Sequence, residues 1–514
     1  MALTPFNGRI IVDTGISMGD EGKGRLIPDL IMELQEMTGQ SDPAAMVLKV
    51  NGGANSGHTA GGLKLNLMPA GVVASSVRWL AIGSGVVADP RKALWEVEPL
   101  EKLGHALRKR LIIDERAMVS DLSHRLLDLA WEHYRVNTLG EAPRGSTGRG
   151  ISPAYMDEVG QFQIHYSEVL GDRSTLTERL KRRLERAIDT IRYVCRIDAD
   201  TFSSFFETLT AAEKRANAES IEQGIFPEEE FDFNHFKGAN DFEINADLIV
   251  EVYLKTLDNL SGNIGDVREL VHEIIAEGRY VIGEFGQSYW LDKRAGFPPN
   301  VTASHTYTAE IFQSAGLPVQ PVHTIGCCKA YDTKVGTHVF LTQMPDDNLL
   351  TAKLKQLEFG TSTGRQRMVG WFDAVEKGDA LRYGGFEDLV INKLDALTND
   401  CGYDGKLLVC TGYRAPDGSS VNCVPRNDIV RKDLTPIYTE LDTWTEDISS
   451  VRSFADLPKA AQHYVAFSFK AVIEIAERGG RNLPRPNLRY IGVGPDPEQI
   501  IKDIPDTETL LSLA

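Results

Sequence analysis

The sequence predicts an α/β fold with a mainly parallel sheet, and two observations predict it. Short β-rich apolar runs alternate with stretches of helical period along the 514 residues. Two glycine-rich segments, Met18–Arg25 and Val50–Ala60, each leave one of those runs directly. In chain order the expected strands are Arg9–Val12, Met46–Val50, Trp79–Ile82, Arg279–Gly283, Leu389–Asn392, Leu407–Cys410 and Arg489–Val493. Ser120–Arg135 reads as a helix capped by Ser120, with Leu122, Leu126, Leu129 and Ala130 on one face. Glu178–Arg196 reads as a second, with Leu180, Leu184, Ile188 and Ile191 on a stripe and its charges on a solvated face. APDG at Ala415–Gly418 reads as a hairpin turn. Phe202–Asp247 stands apart, combining polar helix with FPEEEFDFNHF at Phe226–Phe236. Its adjacent carboxylates Glu228–Glu230 repel and lack the spacing of a ligand set, so a surface insertion is expected.

Composition narrows the function. A net charge of −18 argues against nonspecific nucleic-acid binding, yet local lysines and backbone amides still bind small anions. The six cysteines form no CxxC pair, which fits a reduced cytoplasmic protein, and the adjacent Cys327 and Cys328 read as core. No apolar stretch approaches the roughly 20 residues of a membrane helix. The first residues lack the basic-then-apolar pattern of a signal peptide.

The chemistry lies in the loops. In MGDEGKGR, Gly19, Gly22 and Gly24 allow a tight turn whose N–H groups approach a phosphate, and Lys23 adds a full charge. Gly24 follows Lys23 where a Walker A loop has Ser or Thr. A carboxylate such as Asp20 beside phosphates makes sense if it holds Mg²⁺ or takes a proton. In VNGGANSGHTA, His58 can protonate an oxygen or stabilise negative charge. PRGSTGRGISPAY offers Ser146, Thr147 and Arg149, a pattern suited to a nucleoside monophosphate. FGTSTGRQR places Arg365 and Arg367 among hydroxyls, which suits a dicarboxylate or phosphate. In NKLD, one carboxylate, Asp395, can accept both N1–H and the 2-amino group of guanine, an edge adenine lacks, while the Lys393 stem packs on the base.

With GEFGQ, VTAS, KAYDTKVG and VGPDPEQII, these segments occur in the order found in the adenylosuccinate synthetase family, which the chain resembles from Ile10 to about Asp503, with a break near Phe202–Asp247. The resemblance implies a large central, mostly parallel sheet with surrounding helices, carrying the acidic insertion at 202–247. Residues 1–514 are then one catalytic domain, in a homodimer. It implies that GTP phosphorylates the 6-oxygen of IMP and that the amine of L-aspartate displaces that phosphate, giving adenylosuccinate, GDP and phosphate with one Mg²⁺ per subunit. Nucleic acid and membrane are not expected partners.

Residue by residue, the resemblance makes Asp20 the general base and a Mg²⁺ ligand. His58 becomes the general acid, Lys23 the phosphate lysine, Gln287 the amide on the 6-oxo edge, and the Gly57 carbonyl a second metal contact. IMP falls to Asp20, Glu21, Gly22, Lys23, Asn55, Ser56, Gly57, His58, Thr147, Gln287, Thr302 and Arg365. Aspartate falls to Thr361, Ser362, Thr363, Gly364, Arg365, Gln366 and Arg367. GTP falls to Gly19, Asp20, Glu21, Gly22, Lys23, Gly24, Arg25, Gly57, His58, Thr59 and Arg367. Its guanine meets Lys393, Leu394 and Asp395, with Gly492, Val493 and Gly494 closing over it.

The chain departs from the family pattern at several places. Gln161 stands where the family has an arginine that reaches the IMP phosphate of the partner subunit, and KVGTHVFLTQ at Lys334–Gln343 replaces a glycine- and proline-rich stretch. Ala303–His305 and Gly492 also differ. The alternatives are the same chemistry on dGMP or another 6-oxopurine nucleotide, or a GTP-binding regulatory paralog without catalysis. Intact Asp20 and Asp395 favour IMP and GTP. The set Asp20, Lys23, His58 and Gln287 speaks against a mere binder.

Overall fold

A computed structural model describes residues 5–146, 148–334, 339–359 and 366–514. Ten strands form its central sheet: β1 (Ile10–Gly15), β2 (Ala44–Lys49), β3 (Trp79–Ile82), β4 (Leu111–Asp114), β5 (Ile264–Gly265), β6 (Tyr280–Ser288), β7 (His323–Lys329), β8 (Asp388–Asn392), β9 (Asn487–Gly492) and β10 (Ile500–Ile501). Their spatial order is β5-β4-β3-β2-β6-β1-β7-β8-β9-β10. Every pairing is parallel except β9 with β10. Strands β1, β2 and β7 are buried at every residue, because helices cover both faces of a parallel sheet. That explains their near-continuous apolar runs. The polar exceptions Asp13, Lys49, Glu284 and Lys329 fall at or near the carboxyl ends, where ligand sites of such sheets form.

The helices that matter for the site are α1 (Lys23–Thr38), α2 (Leu122–His133), α3 (Ile151–Val159), α4 (Arg173–Asp189), α5 (Ala199–Ala216), α6 (Ala374–Gly384) and α7 (Lys459–Glu477). Two large apolar cores result. One joins α1, α2, α4 and α5 to the β2–β4 side of the sheet, and the other packs α6 and α7 beside β8 and β9. Among the described residues, no helix is long and apolar enough to cross a membrane.

Several sequence expectations are adjusted. The cap of α2 is Asp121, not Ser120: its carboxylate accepts the Ser123 N–H at 2.9 Å and His124 completes a capping box. Asp121 is also held by Arg183 at 3.0 Å, so the charged acceptor wins the cap. The second expected helix starts earlier, at the Asp172 cap, and passes into a wider turn at Thr190–Val194. Leu407–Cys410 is a strand, extended to Arg414, but in a separate small sheet. Strands β4, β5, β7 and β10 were not expected; β7 reads HTIGCCK, with one β-branched pair and no run of apolar residues. The turn at Ala415–Gly418 forms, with the Gly418 N–H on the Ala415 carbonyl at 2.9 Å. Cys327 and Cys328 are buried core thiols, as expected.

The largest correction concerns 202–247. Glu228 and Glu229 are exposed, but Phe202, Phe206, Phe231, Phe233 and Phe236 are buried. Phe231 meets Trp95 edge-on at 4.9 Å. The segment is therefore part of the core rather than a surface appendage: Glu228 and Glu229 face outward, whereas Glu213 is buried and Glu230 accepts from the Trp95 indole N–H at 3.0 Å.

Candidate active site

The loop after β1 folds around one inward carboxylate. Glu21 accepts the Gly19 N–H at 2.8 Å, the Ser288 hydroxyl at 2.6 Å and the Lys23 ammonium at 2.9 Å. A side chain at Gly15 would collide with it. Burial opposes the charge on Lys23, yet Glu21 outweighs that and holds the lysine above its usual pKa. Lys23 thus begins α1 as a fixed cation, after Gly22 at φ 82°. Asp20 points the other way, with φ 61° and a side chain 39% exposed, and ion-pairs with Arg367. Deeper, the buried Asp13 accepts the Phe285 N–H at 3.1 Å, and burial pushes its carboxyl up to about 7.

The loop after β2 meets the first at Gly24. A Cβ there would lie 2.5 Å from His58 Cβ and 2.7 Å from the Thr59 carbonyl, so only glycine lets the two loops touch. His58 Nδ1 is 2.6 Å from Glu284, which also holds Lys49 at 3.3 Å and the Ala70 N–H at 2.7 Å. Burial would raise the Glu284 pKa, but Lys49 and His58 drive it down to about 2. Its charge fixes the Nδ1–H tautomer and aims Nε2 away from the protein anchor. Burial wins at the imidazole itself and lowers the His58 pKa. Gln287, at φ 59°, donates to the Asn55 carbonyl at 3.1 Å, while its Oε1 is buried without a partner. Such an orphan acceptor is costly unless a ligand satisfies it.

A third group lies at the end of β8. Asn392 donates to the Glu21 carbonyl at 2.6 Å and ties this strand to the first loop. Leu394 N–H bonds the Gly492 carbonyl at 2.9 Å, and Val493 N–H bonds the Gln499 carbonyl at 2.9 Å. Gly492 admits no side chain, because a Cβ would sit 2.7 Å from Asn392 Oδ1. Arg25 reaches over from α1 to the carbonyls of Gly494, Asp496 and Pro497. One oxygen of Asp395 is buried without a partner, and burial raises its pKa.

Between these groups stands Glu358. It binds Lys329 at 2.9 Å, the Tyr331 hydroxyl at 2.6 Å, Lys393 at 2.6 Å and Arg367 at 3.2 Å. Burial opposes its charge, but the lysines bring its pKa down to about 2. Through Arg367 it connects to Asp20, and through Lys393 to the segment carrying Asp395.

A cavity of about 740 Å³ opens beside the loop after β2. Asn55, Gln287, Thr302 and Ser146 line it, which joins four separate segments of the sequence expectation. Arg149 does not join them. It is buried and paired at 2.7 Å with Glu213 of α5, which also binds Lys92 at 2.6 Å and Arg125 at 2.7 Å. Arg149 therefore stands apart from the cavity where the sequence expectation put it, held by Glu213 instead. Thr147 and Thr361, Ser362, Thr363, Gly364 and Arg365 lie outside the described residues, as do residues 335–338 of the altered stretch. Of the aspartate loop, Gln366 is exposed and donates to the Lys355 carbonyl at 3.2 Å.

Sequence reasoning did not single out Glu284, Glu358, Asn392 or Glu213. Glu284 and Asn392 stood inside quoted motifs, Asn392 next to Lys393 and Glu284 three residues before Gln287. Glu358 directly precedes FGTSTGRQR. Glu213 carried no local signal, since its three cationic partners are distant in sequence.

Loops at the carboxyl ends of parallel strands, with an acid, an imidazole, a buried lysine and an orphan carboxylate oxygen, define a nucleotide-handling α/β enzyme. The family described as adenylosuccinate synthetase matches residues 11–232 and 218–501, and the chain belongs to that family. The adenylosuccinate synthetase of Micrococcus luteus is 32% identical over 497 residues, covering 96% of this chain and 98% of that one. That of Kocuria rhizophila is 33% identical over 496 residues, covering 96% and 97%. A fully ligated adenylosuccinate synthetase from Plasmodium falciparum superposes with a TM-score of 0.75 at 23% identity, covering 96% of this chain and all of that one. The cyanophage S-2L succinoaminodeoxyadenylate synthetase bound to dGMP and dATP gives 0.52 at 14% identity, covering 98% of each chain. These two likenesses concern the fold. The family assignment makes the chain a ligase that forms a C–N bond.

Proposed function

We infer that this chain joins L-aspartate to C6 of IMP at the expense of GTP, giving adenylosuccinate, GDP and phosphate. Family membership over nearly the whole length supports the reaction. The observation that carries it into the site is the grouping of Asp20, His58, Gln287 and Asp395, which come from the loops after β1, β2 and β8 and from the end of β6.

The chemistry needs a better leaving group at C6. Asp20, the accessible carboxylate of its loop, takes the N1 proton of IMP, so the 6-oxygen becomes nucleophilic and attacks the γ-phosphorus of GTP. GDP leaves. The aspartate amine then adds at C6, the phosphate departs with the former 6-oxygen, and the nitrogen sheds its proton. Lys23 and the loop N–H groups face the transferred phosphoryl charge. His58, oriented by Glu284, presents Nε2 to a phosphate oxygen as donor when protonated. The orphan Gln287 Oε1 and its amide hold the purine edge.

The orphan oxygen of Asp395 accepts from guanine, which the glycines at 492 and 494 let approach closely. Arg367 must exchange Asp20 for substrate during the cycle. Asp20 and the Gly57 carbonyl would hold Mg²⁺. One accessible carboxylate, a main-chain oxygen and substrate phosphates are a donor set that suits this hard cation. When bound, it supplies positive charge to the phosphate oxygens.

Chain 1–514 acts as one catalytic domain, with 202–247 a family-atypical insertion built into its core. A homodimer fits the apolar residues beside Gln161: Met156, Val159 and Phe162 are 54%, 82% and 54% exposed. Six free cysteines fit a cytoplasmic location, and the net charge fits partners other than nucleic acid.

The test is phosphate release from purified protein with GTP, Mg²⁺ and L-aspartate, comparing IMP, dGMP and no acceptor. Release with IMP, together with adenylosuccinate as product, supports the reading. Release with dGMP alone moves the chain to the other acceptor. Tight GTP binding without release in any arm points to the inactive paralog.

A further inference from the structure

The acceptor cavity has to neutralise a 5′-phosphate, and some cations near it are already engaged. Arg149 is buried against Glu213. Arg144 pairs with Glu141 at 3.3 Å and donates to the Pro299 carbonyl. Arg135 also lines the cavity, and among the described residues no carboxylate is recorded within ion-pair distance of its guanidinium. Gln161 is exposed and uncharged.

Lys293 differs. It lies just beyond β6, half-buried, and lines the cavity with Thr302 and Ser152. Among the described residues, no carboxylate is recorded within ion-pair distance of its ammonium. That ammonium stands over the Tyr155 ring of α3 at 5.8 Å, and the backbone N–H of Lys293 bonds the Ser304 carbonyl at 3.3 Å. Glu310 lies within electrostatic range, but burial pushes its carboxyl up to about 7, so it offsets the ammonium only in part. Asp128 also lines the cavity, where the Gly150 N–H occupies it at 3.1 Å.

A second feature points to an anion at this place. Ile151, Ser152 and Pro153 form the first turn of α3 and line the same cavity. The Gly150 cap provides no side-chain acceptor for the free N–H groups of that turn. A helix start, two hydroxyls and a lysine without an ion pair make a phosphate site.

We propose that Lys293 supplies, from the same subunit, the positive charge that holds the 5′-phosphate of the acceptor nucleotide. The assignment rests on the reading that this cavity takes a purine nucleotide. It gives the chain a charge in cis at the site where the family resemblance expects an arginine from the partner and this sequence has Gln161. Gln161 then needs no charge, and a single subunit completes the phosphate site.

The experiment compares the affinities of IMP and inosine for wild-type protein and for Lys293→Met by calorimetry. A paired comparison of dGMP with deoxyguanosine runs alongside. The lysine contacts only the phosphate, so Lys293→Met should weaken the nucleotide about tenfold or more and leave the nucleoside unchanged. The preference for nucleotide over nucleoside then shrinks by that factor. The same preference in both proteins overturns the role of Lys293 while the functional reading stands. Wild-type protein that binds neither monophosphate overturns the functional reading and this assignment with it.

Discussion

The two nucleotide ends of the site are built on opposite plans. At the GTP end, charges are paired before any ligand arrives: Asp20 with Arg367, Arg367 with Glu358, and Glu358 with Lys329 and Lys393. At the acceptor end, a cavity of about 740 Å³ holds an orphan amide oxygen on Gln287 and a lysine with no ion pair among the described residues. A closed network exchanges partners when substrate enters. An open cavity gains them. Losing one member of the network should therefore disturb rate and coupling, whereas losing a cavity group should disturb affinity.

The largest effect is expected at Asp20. Asp20→Asn removes the base yet keeps the size, and turnover should fall by about 10²-fold to 10⁴-fold with an unchanged melting temperature. Steady-state rates and a thermal melt check this together. Near-normal turnover would take Asp20 out of its role. Glu284→Gln should come next. It leaves Lys49 and His58 without their shared carboxylate, so both rate and stability should drop. The pH dependence has a definite sign: Glu284 is held at about 2 against an ordinary 4.5, so its stabilisation is present above pH 4.5 and is lost as the pH falls toward 2. Melting curves across that window should converge for wild type and variant. Curves that stay parallel would mean the carboxylate contributes no pH-linked stability.

A more selective change is expected at Asp395. Asp395→Asn should weaken GTP relative to ATP by about tenfold or more, since an amide cannot accept both guanine donors. Competition between the two nucleotides measures it, and an unchanged preference would place guanine recognition elsewhere. The subtlest test concerns coupling. Glu358→Gln loosens the link between Lys393 and Arg367, so GTP should bind with a smaller change in the environment of Asp20. The pH profile of turnover, measured at saturating and at limiting GTP, would then become the same in the two conditions. Profiles that still differ as in wild type would break the proposed connection.

How much of this was legible in the sequence follows the same division. Glycine-rich loops after apolar runs disclosed the places of Asp20, Lys23 and His58, because Gly22 has a positive φ and Gly24 lies too close to the Thr59 carbonyl for any side chain. Strand β7 escaped notice because its buried Thr324, Gly326, Cys327 and Lys329 break the apolar run that marks a parallel strand. The Glu284 and Glu358 hubs were hidden for a different reason. A glutamate in a motif discloses nothing about which distant lysines converge on it. The segment at 202–247 was misjudged as surface because its charges are dense in sequence, although alternate aromatics point inward. Arg149 looked available in its loop, but it is buried and held by Glu213, 64 residues away.

The central claim is that the 6-oxygen of the acceptor becomes the departing phosphate within one site spanned by both nucleotides. The most direct measurement uses IMP labelled with ¹⁸O at C6, incubated with the protein, GTP, Mg²⁺ and L-aspartate, with mass analysis of the phosphate released. The account predicts one ¹⁸O in each phosphate formed together with adenylosuccinate. Phosphate carrying only ordinary oxygen while adenylosuccinate accumulates would contradict it.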